Sequence, residues 1–196
     1  MTLYWDRSAE DTKDKYMGNI TDGADLYDFE GYKIYRATDF EFNDAYNITD
    51  GDGNPTFLEP YVQNGVRAQW DLIDGKSGWH PVDLNGIKFY LGDETGLVHS
   101  YVDNNVVNGQ RYYYAVVSYD YGGDLTNNII PSDSPMKLRV NPLTGAVSLG
   151  PNVVEVVPSP PSAGFVDASF TGDQIDHVAG ASSGEVYLDC LLYTSP

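Results

Sequence analysis

The feature that most constrains this chain is the run Tyr112-Tyr113-Tyr114-Ala115-Val116-Val117-Ser118-Tyr119, closed by Asp120-Tyr121-Gly122-Gly123. Aromatic and β-branched residues at this density suit a pleated, half-buried surface and lose side-chain freedom in a helix. The same texture returns in shorter pieces. Tyr32-Lys33-Ile34-Tyr35-Arg36 alternates with period two between Gly31 and Asp39, so Tyr32, Ile34 and Arg36 share one face and Lys33 and Tyr35 the other. Further strands are predicted over 2–5, 66–72, 87–91, 97–102, 136–140 and 153–157, with long loops over 6–28 and 43–64. Apolar spacing of three and four is sustained nowhere, and a helical turn over 10–15 is the most that the sequence allows. Sixteen Tyr against seven Phe, with 20 Gly and 11 Pro as punctuation, complete the pattern of an all-β protein rich in turns.

Charge narrows the partners. With 11 basic and 29 acidic residues the chain carries a formal net charge of −18. Such a field repels phosphate backbones and anionic headgroups, which argues against nucleic acid and membrane surfaces. It suits a solvated surface or sites for hard cations such as calcium. The lone cysteine, Cys190, excludes an intrachain disulfide, and no stretch approaches the roughly 20 apolar residues of a membrane-inserted helix.

Leu3-Tyr4-Trp5 resembles the strand B signature of fibronectin type III domains, and Tyr32 to Arg36 resembles their strand C. Val106-Val107-Asn108-Gly109-Gln110-Arg111-Tyr112 is similar to the approach to strand F, with Tyr112 as the corner tyrosine and Tyr114 and Val116 facing the core. The resemblance implies a fibronectin type III or immunoglobulin-like β-sandwich over 1–141, with Trp5, Tyr112 and Tyr114 as structural residues. Strand A is missing from it, and a long insertion occupies about residues 40–96. A Pro-rich linker follows over 142–164, centred on Pro158-Ser159-Pro160-Pro161-Ser162. Residues 165–189 read as the truncated start of a second β module, and 190–196 resemble a translated sequencing adapter rather than native sequence. Domains of this kind occur in bacterial multi-module secreted or surface proteins. That implies an extracellular or cell-surface fragment whose first partners are other domains of the same polypeptide. No apolar signal segment follows Met1, so this location rests on the resemblance.

Two candidate sites stand out, each with a plainer alternative. Asp50, Asp52 and Asn54 place oxygen ligands at alternate positions, like the first half of a calcium loop. Pro55 and Tyr61 then stand where such a loop needs Gly and Glu, which favours a plain Gly-rich turn over a calcium loop. Trp70, Trp79 and Tyr90 lie in the insertion, either as a stacking surface for sugar rings or as its core. His80, His99 and His177 have no metal-ligand spacing. Gly180-Ala181-Ser182-Ser183-Gly184 matches a nucleophile elbow in letters only, since no histidine follows Ser182.

The expected role is therefore non-catalytic: a structural, adhesive or spacer module. The alternative is an accessory carbohydrate-binding module of an extracellular hydrolase. In either case the outside partner is a polysaccharide or a surface protein. A weaker third reading is an enzyme using carboxylates of the insertion.

Overall fold

The computed structural model of the protein describes residues 1–20, 27–126, 128–136 and 138–164. Strands run Thr2–Tyr4 (β1), Phe29–Ala37 (β2), Asn47–Thr49 (β3), Pro55–Leu58 (β4) and Val62–Gln63 (β5). Val66–Arg67 (β6), Gln69–Asp71 (β7), Trp79–Leu84 (β8), Ile87–Tyr90 (β9) and Ser100–Val102 (β10) follow. The long Tyr112–Asp120 (β11) precedes Leu138–Val140 (β12), Val147–Leu149 (β13) and Val153–Val156 (β14).

The two strongest sequence strands form the centre. β2 and β11 pair antiparallel, with Val116 opposite Ile34 and Ser118 opposite Tyr32, in a four-stranded sheet of order β14-β11-β2-β7. Both are covered on both faces: β11 is almost wholly apolar or aromatic, whereas β2 carries Glu30 and Lys33 into the interior among its apolar and aromatic residues. The predicted alternation sets the two faces. Ile34, Tyr112 and Tyr114 pack with Leu3, Trp5, Trp70 and Tyr101 under the β1–β10 ribbon. Tyr35, Ala37, Ala115 and Val117 pack with Phe42 and Val153 on the other face. There Leu58 of hairpin β3–β4 and Leu138 and Leu149 of ribbon β12–β13 close over them. A third cluster of Phe89, Leu91 and Tyr119 lies under hairpin β8–β9. The chain is all-β, built from one four-stranded sheet and five two-stranded ribbons among the described residues.

Gly31 lets the edge strand close. A Cβ there would sit 2.1 Å from the Trp70 carbonyl oxygen, so any side chain would push β7 off β2.

Several boundaries differ from expectation. The strand predicted over 66–72 divides at Ala68, whose N–H donates to Tyr61 O (2.8 Å) while its carbonyl accepts from Ile34 N (2.9 Å). The loop expected over 43–64 contains the β3–β4 hairpin and β5, and the strand expected over 97–102 shortens to β10. Helix α1 spans Lys15–Ile20, later than the turn expected over 10–15, because the Asp14 carboxylate caps it by accepting from Met17 N (3.1 Å). The segment expected as linker, 142–164, holds β13 as well as the strand expected over 153–157, and that strand, β14, is an edge of the main sheet, with Val156 opposite Tyr112. The first compact unit thus runs Met1–Pro160 and a second one begins at Pro161. The expected second module over 165–189, the tail over 190–196, His177, Gly180 to Gly184 and Cys190 lie outside the described residues.

Tyr112 sits at the start of β11 with its hydroxyl accepting a hydrogen bond from Val107 N at 3.0 Å, which ties the incoming loop to the strand. Tyr112→Phe is expected to cost about 1 kcal/mol in urea unfolding, the worth of one such bond. A loss below about 0.3 kcal/mol would show that the loop holds itself.

Candidate functional site

The β5–β6 hairpin turns through Asn64 and Gly65, both at positive φ (54° and 82°), as a tight two-residue hairpin requires. It leans over β7 and the 90–95 segment to enclose an open groove of about 510 Å³. Trp70, Tyr90 and Tyr101 supply its aromatic surface, and Gln63, Arg67 and Asp93 are among its polar lining.

Each wall is fixed from behind. Asp71 is fully buried and accepts from Glu94 N (2.6 Å), Thr95 N (2.8 Å) and the Thr95 hydroxyl (2.8 Å), which pins the loop after β9. Gly92 is obligatory beneath that loop: its φ is 142° and a Cβ would lie 2.3 Å from the Asp71 carboxylate. Gln69 donates from Nε2 to the carbonyls of Tyr90 (3.0 Å) and Leu91 (2.8 Å). Gln63 holds the hairpin to β10, donating to Val102 O (3.1 Å) and accepting from Asn104 N (2.8 Å). Trp70 is wedged between Trp5 and Tyr101, with ring centroids 5.7 and 5.5 Å away. The groove is preorganised rather than formed by loose side chains.

Its electrostatics favour neutral hydrogen-bonding groups. The Tyr90 hydroxyl donates to Asp93, and this bond, with some burial, raises its pKa and keeps the phenol protonated. Burial, then the nearby Asp103 charge, pushes Tyr101 up to about 12. The Arg67 guanidinium lies 5.1 Å from the Tyr90 ring and its Nε pairs with Glu59 at 2.5 Å, so its charge is largely answered. Asp93 is the lone carboxylate on the lining, which gives no pair for acid–base work.

Of the residues singled out from sequence, Trp70 and Tyr90 meet in this groove. Trp79 stands just outside it, 58% exposed, edge-on to Tyr90 at 5.0 Å, and extends the aromatic surface outward. Tyr101 and Gln63 come to the site without any local sequence signal. Asp50, Asp52 and Asn54 form the tip of hairpin β3–β4. The Asp50 carboxylate accepts from Asn54 Nδ2 (3.1 Å), Asn54 N (2.8 Å) and Asp52 N (3.0 Å), and these bonds, the Asn54 side chain's first, hold its pKa down. Among the described residues no three His, Cys, Asp or Glu side chains gather as a metal would need. His80 is a core residue, its Nε2 2.6 Å from Gly123 O, and His99 pairs with Glu10 at 2.5 Å. A second hollow, about 570 Å³, lies beside Arg36, Asp44, Tyr46 and Tyr61, but there the Tyr61 ring is already covered by the Arg36 guanidinium at 3.9 Å.

These features define an all-β protein with a preorganised aromatic groove beside its main sheet. Compared with known proteins, the chain matches no family model, no curated protein and no solved structure. Among the described residues no helix is long and apolar enough to cross a membrane.

Proposed function

We propose that this chain is a non-catalytic adhesive module of a secreted or surface protein, and that it engages a neutral polysaccharide through the groove beside β7. The observation that carries the reading is the convergence of Trp70, Tyr90 and Tyr101 on one open groove, with Trp79 exposed at its edge. The C–H face of a sugar ring stacks on aromatic faces, while its hydroxyls exchange hydrogen bonds with groups such as Asp93 and the Tyr90 phenol. The net charge of −18 disfavours anionic polymers, so the substrate class is neutral. The bond from Val107 N to the Tyr112 hydroxyl supports a fibronectin type III-like sandwich as the scaffold. In a larger protein the same groove would serve an extracellular hydrolase as its accessory binding module.

Affinity electrophoresis against neutral glucans, mannans, xylans and galactans tests this. Retention by at least one polymer is expected, and Trp79→Ala weakens it about tenfold, the worth of roughly 1.4 kcal/mol of stacking, with the melting temperature unchanged. If the wild type passes every polymer unretained, the groove is not a glycan site and a purely spacing role is left.

A further inference from the structure

Lys33 is the unusual residue of the core. It lies in the middle of β2 with 4% of its side chain exposed, and its Nζ sits 3.2 Å from Asp133 Oδ1. The rings of Phe89 and Tyr119 lie 3.6 and 4.7 Å from that nitrogen and keep water away from it. The other carboxylate oxygen, Asp133 Oδ2, accepts the hydroxyl proton of Tyr35. Asp133 is itself held on both sides. It bridges Tyr119, while Asp120 N donates to Ser132 O (3.1 Å) and Ser134 N to Ser118 O (2.7 Å).

We propose that Lys33 and Asp133 condense into an amide cross-link between Nζ and Cγ. The balance closes without any co-reactant. The amine nitrogen attacks Cγ as a neutral group, having passed one proton to Oδ1, its 3.2 Å neighbour. A second nitrogen proton follows to the same oxygen, the Cγ–Oδ1 bond breaks, and Oδ1 leaves as water. One proton stays on the new amide nitrogen, and Oδ2 becomes the amide carbonyl, still hydrogen-bonded to Tyr35.

Three features of the site favour the step. Burial lowers the pKa of Lys33, against the pull of the Asp133 charge, so the nucleophilic neutral amine is accessible. Tyr35, whose pKa burial raises, stays protonated and stabilises the charge that develops on Oδ2. Condensation also removes two charges from an environment where an ion pair is costly to keep. In open water the reverse reaction is favoured, but two groups locked in contact have effective molarities of about 10⁵ M or more. The product would join residues 100 positions apart and tie β2 to the segment beside β11. It does not depend on what the groove binds.

Mass spectrometry of the purified full chain decides. The intact mass is expected to be one water below that of the sequence, and Lys33→Arg to restore the full mass. Trypsin cannot cut at an acylated lysine, so the digest should contain a branched peptide joining residues 16–36 to residues 112–137. Should Lys33→Arg fail to fold, the wild-type peptide map still settles the matter. Recovery of a free cut at Lys33 together with an unmodified 112–137 peptide from folded protein overturns the proposal. So does a water loss located at an Asp-Gly pair such as Asp50-Gly51 or Asp74-Gly75, where succinimide formation gives the same mass.

Discussion

Asp103→Ala is expected to lower the stability of the fold by about 3–5 kcal/mol, the usual cost of removing one partner from a buried charged network. Asp103 is fully buried beside β10, in a position that looks in sequence like one more acidic loop residue. Its carboxylate accepts from Arg36 Nη1 (2.8 Å), the Tyr114 hydroxyl (2.8 Å), Asn105 N (2.8 Å) and, at longer range, the Tyr61 hydroxyl (3.4 Å). Removing it strands a guanidinium and a buried phenol together. Burial by itself raises the pKa of Asp103, but the bonds from Tyr114, the Asn105 amide and Arg36 outweigh burial and leave the pKa below the usual carboxylate value. A depressed folded pKa gives stability that is present above pH about 4 and lost as pH falls below it. The alanine variant should therefore lose less stability relative to wild type at pH 3 than at pH 7. Urea unfolding with an unchanged slope measures both. A loss under about 1 kcal/mol at pH 7 would mean that solvent replaces the carboxylate and that the site is not closed.

That network marks the limit of what the sequence makes legible. The period-two segments at Tyr32 to Arg36 and Tyr112 to Tyr119 were readable because aromatic and β-branched residues in alternation have one good backbone solution. The assignment of Ile34 and Tyr35 to opposite faces follows from that period alone. Short pieces were less legible. β14 reads as a short strand in a stretch whose prolines and glycines suggest a linker, but its place at the edge of the main sheet, paired with β11, has no local signal. The groove divides in the same way. Trp70 and Tyr90 stand out by residue type, whereas Gln63 and Tyr101 reach it through the β5–β6 turn and the β1–β10 ribbon, contacts that carry no local pattern. Asp103 and Arg36, 67 residues apart, meet for the same reason. In a chain with 29 acidic residues, nothing local separates the few buried carboxylates from the solvated ones.

Glu30→Gln should stabilise the protein at pH 8 by roughly 2–4 kcal/mol and change it little at pH 4.5. Glu30 is fully buried near the start of β2, and neither carboxylate oxygen has a hydrogen-bond partner among the described residues. Burial, and then the charge of Asp74, raise its pKa to about 8, with Asp71 and Glu94 adding to the rise and Lys76 opposing it. The sign follows from proton counting. Between pH about 4.5 and 8 the unfolded chain has released this proton while the folded one still holds it, so unfolding gains ground as pH rises. Stability from this residue is complete below the unfolded value and gone above about pH 8. Asp28, raised to about 6 chiefly by burial and then by Asp120, bends the same curve at lower pH. General repulsion among acidic side chains also weakens the fold in this range, but it acts on wild type and variant almost alike, so their difference isolates Glu30. Melting curves of both proteins from pH 4.5 to 8.5 should diverge steadily, with the variant flatter. Parallel curves would mean that Glu30 ionises inside the fold at little cost, and hence that water reaches a carboxylate which the packing of β2 closes off.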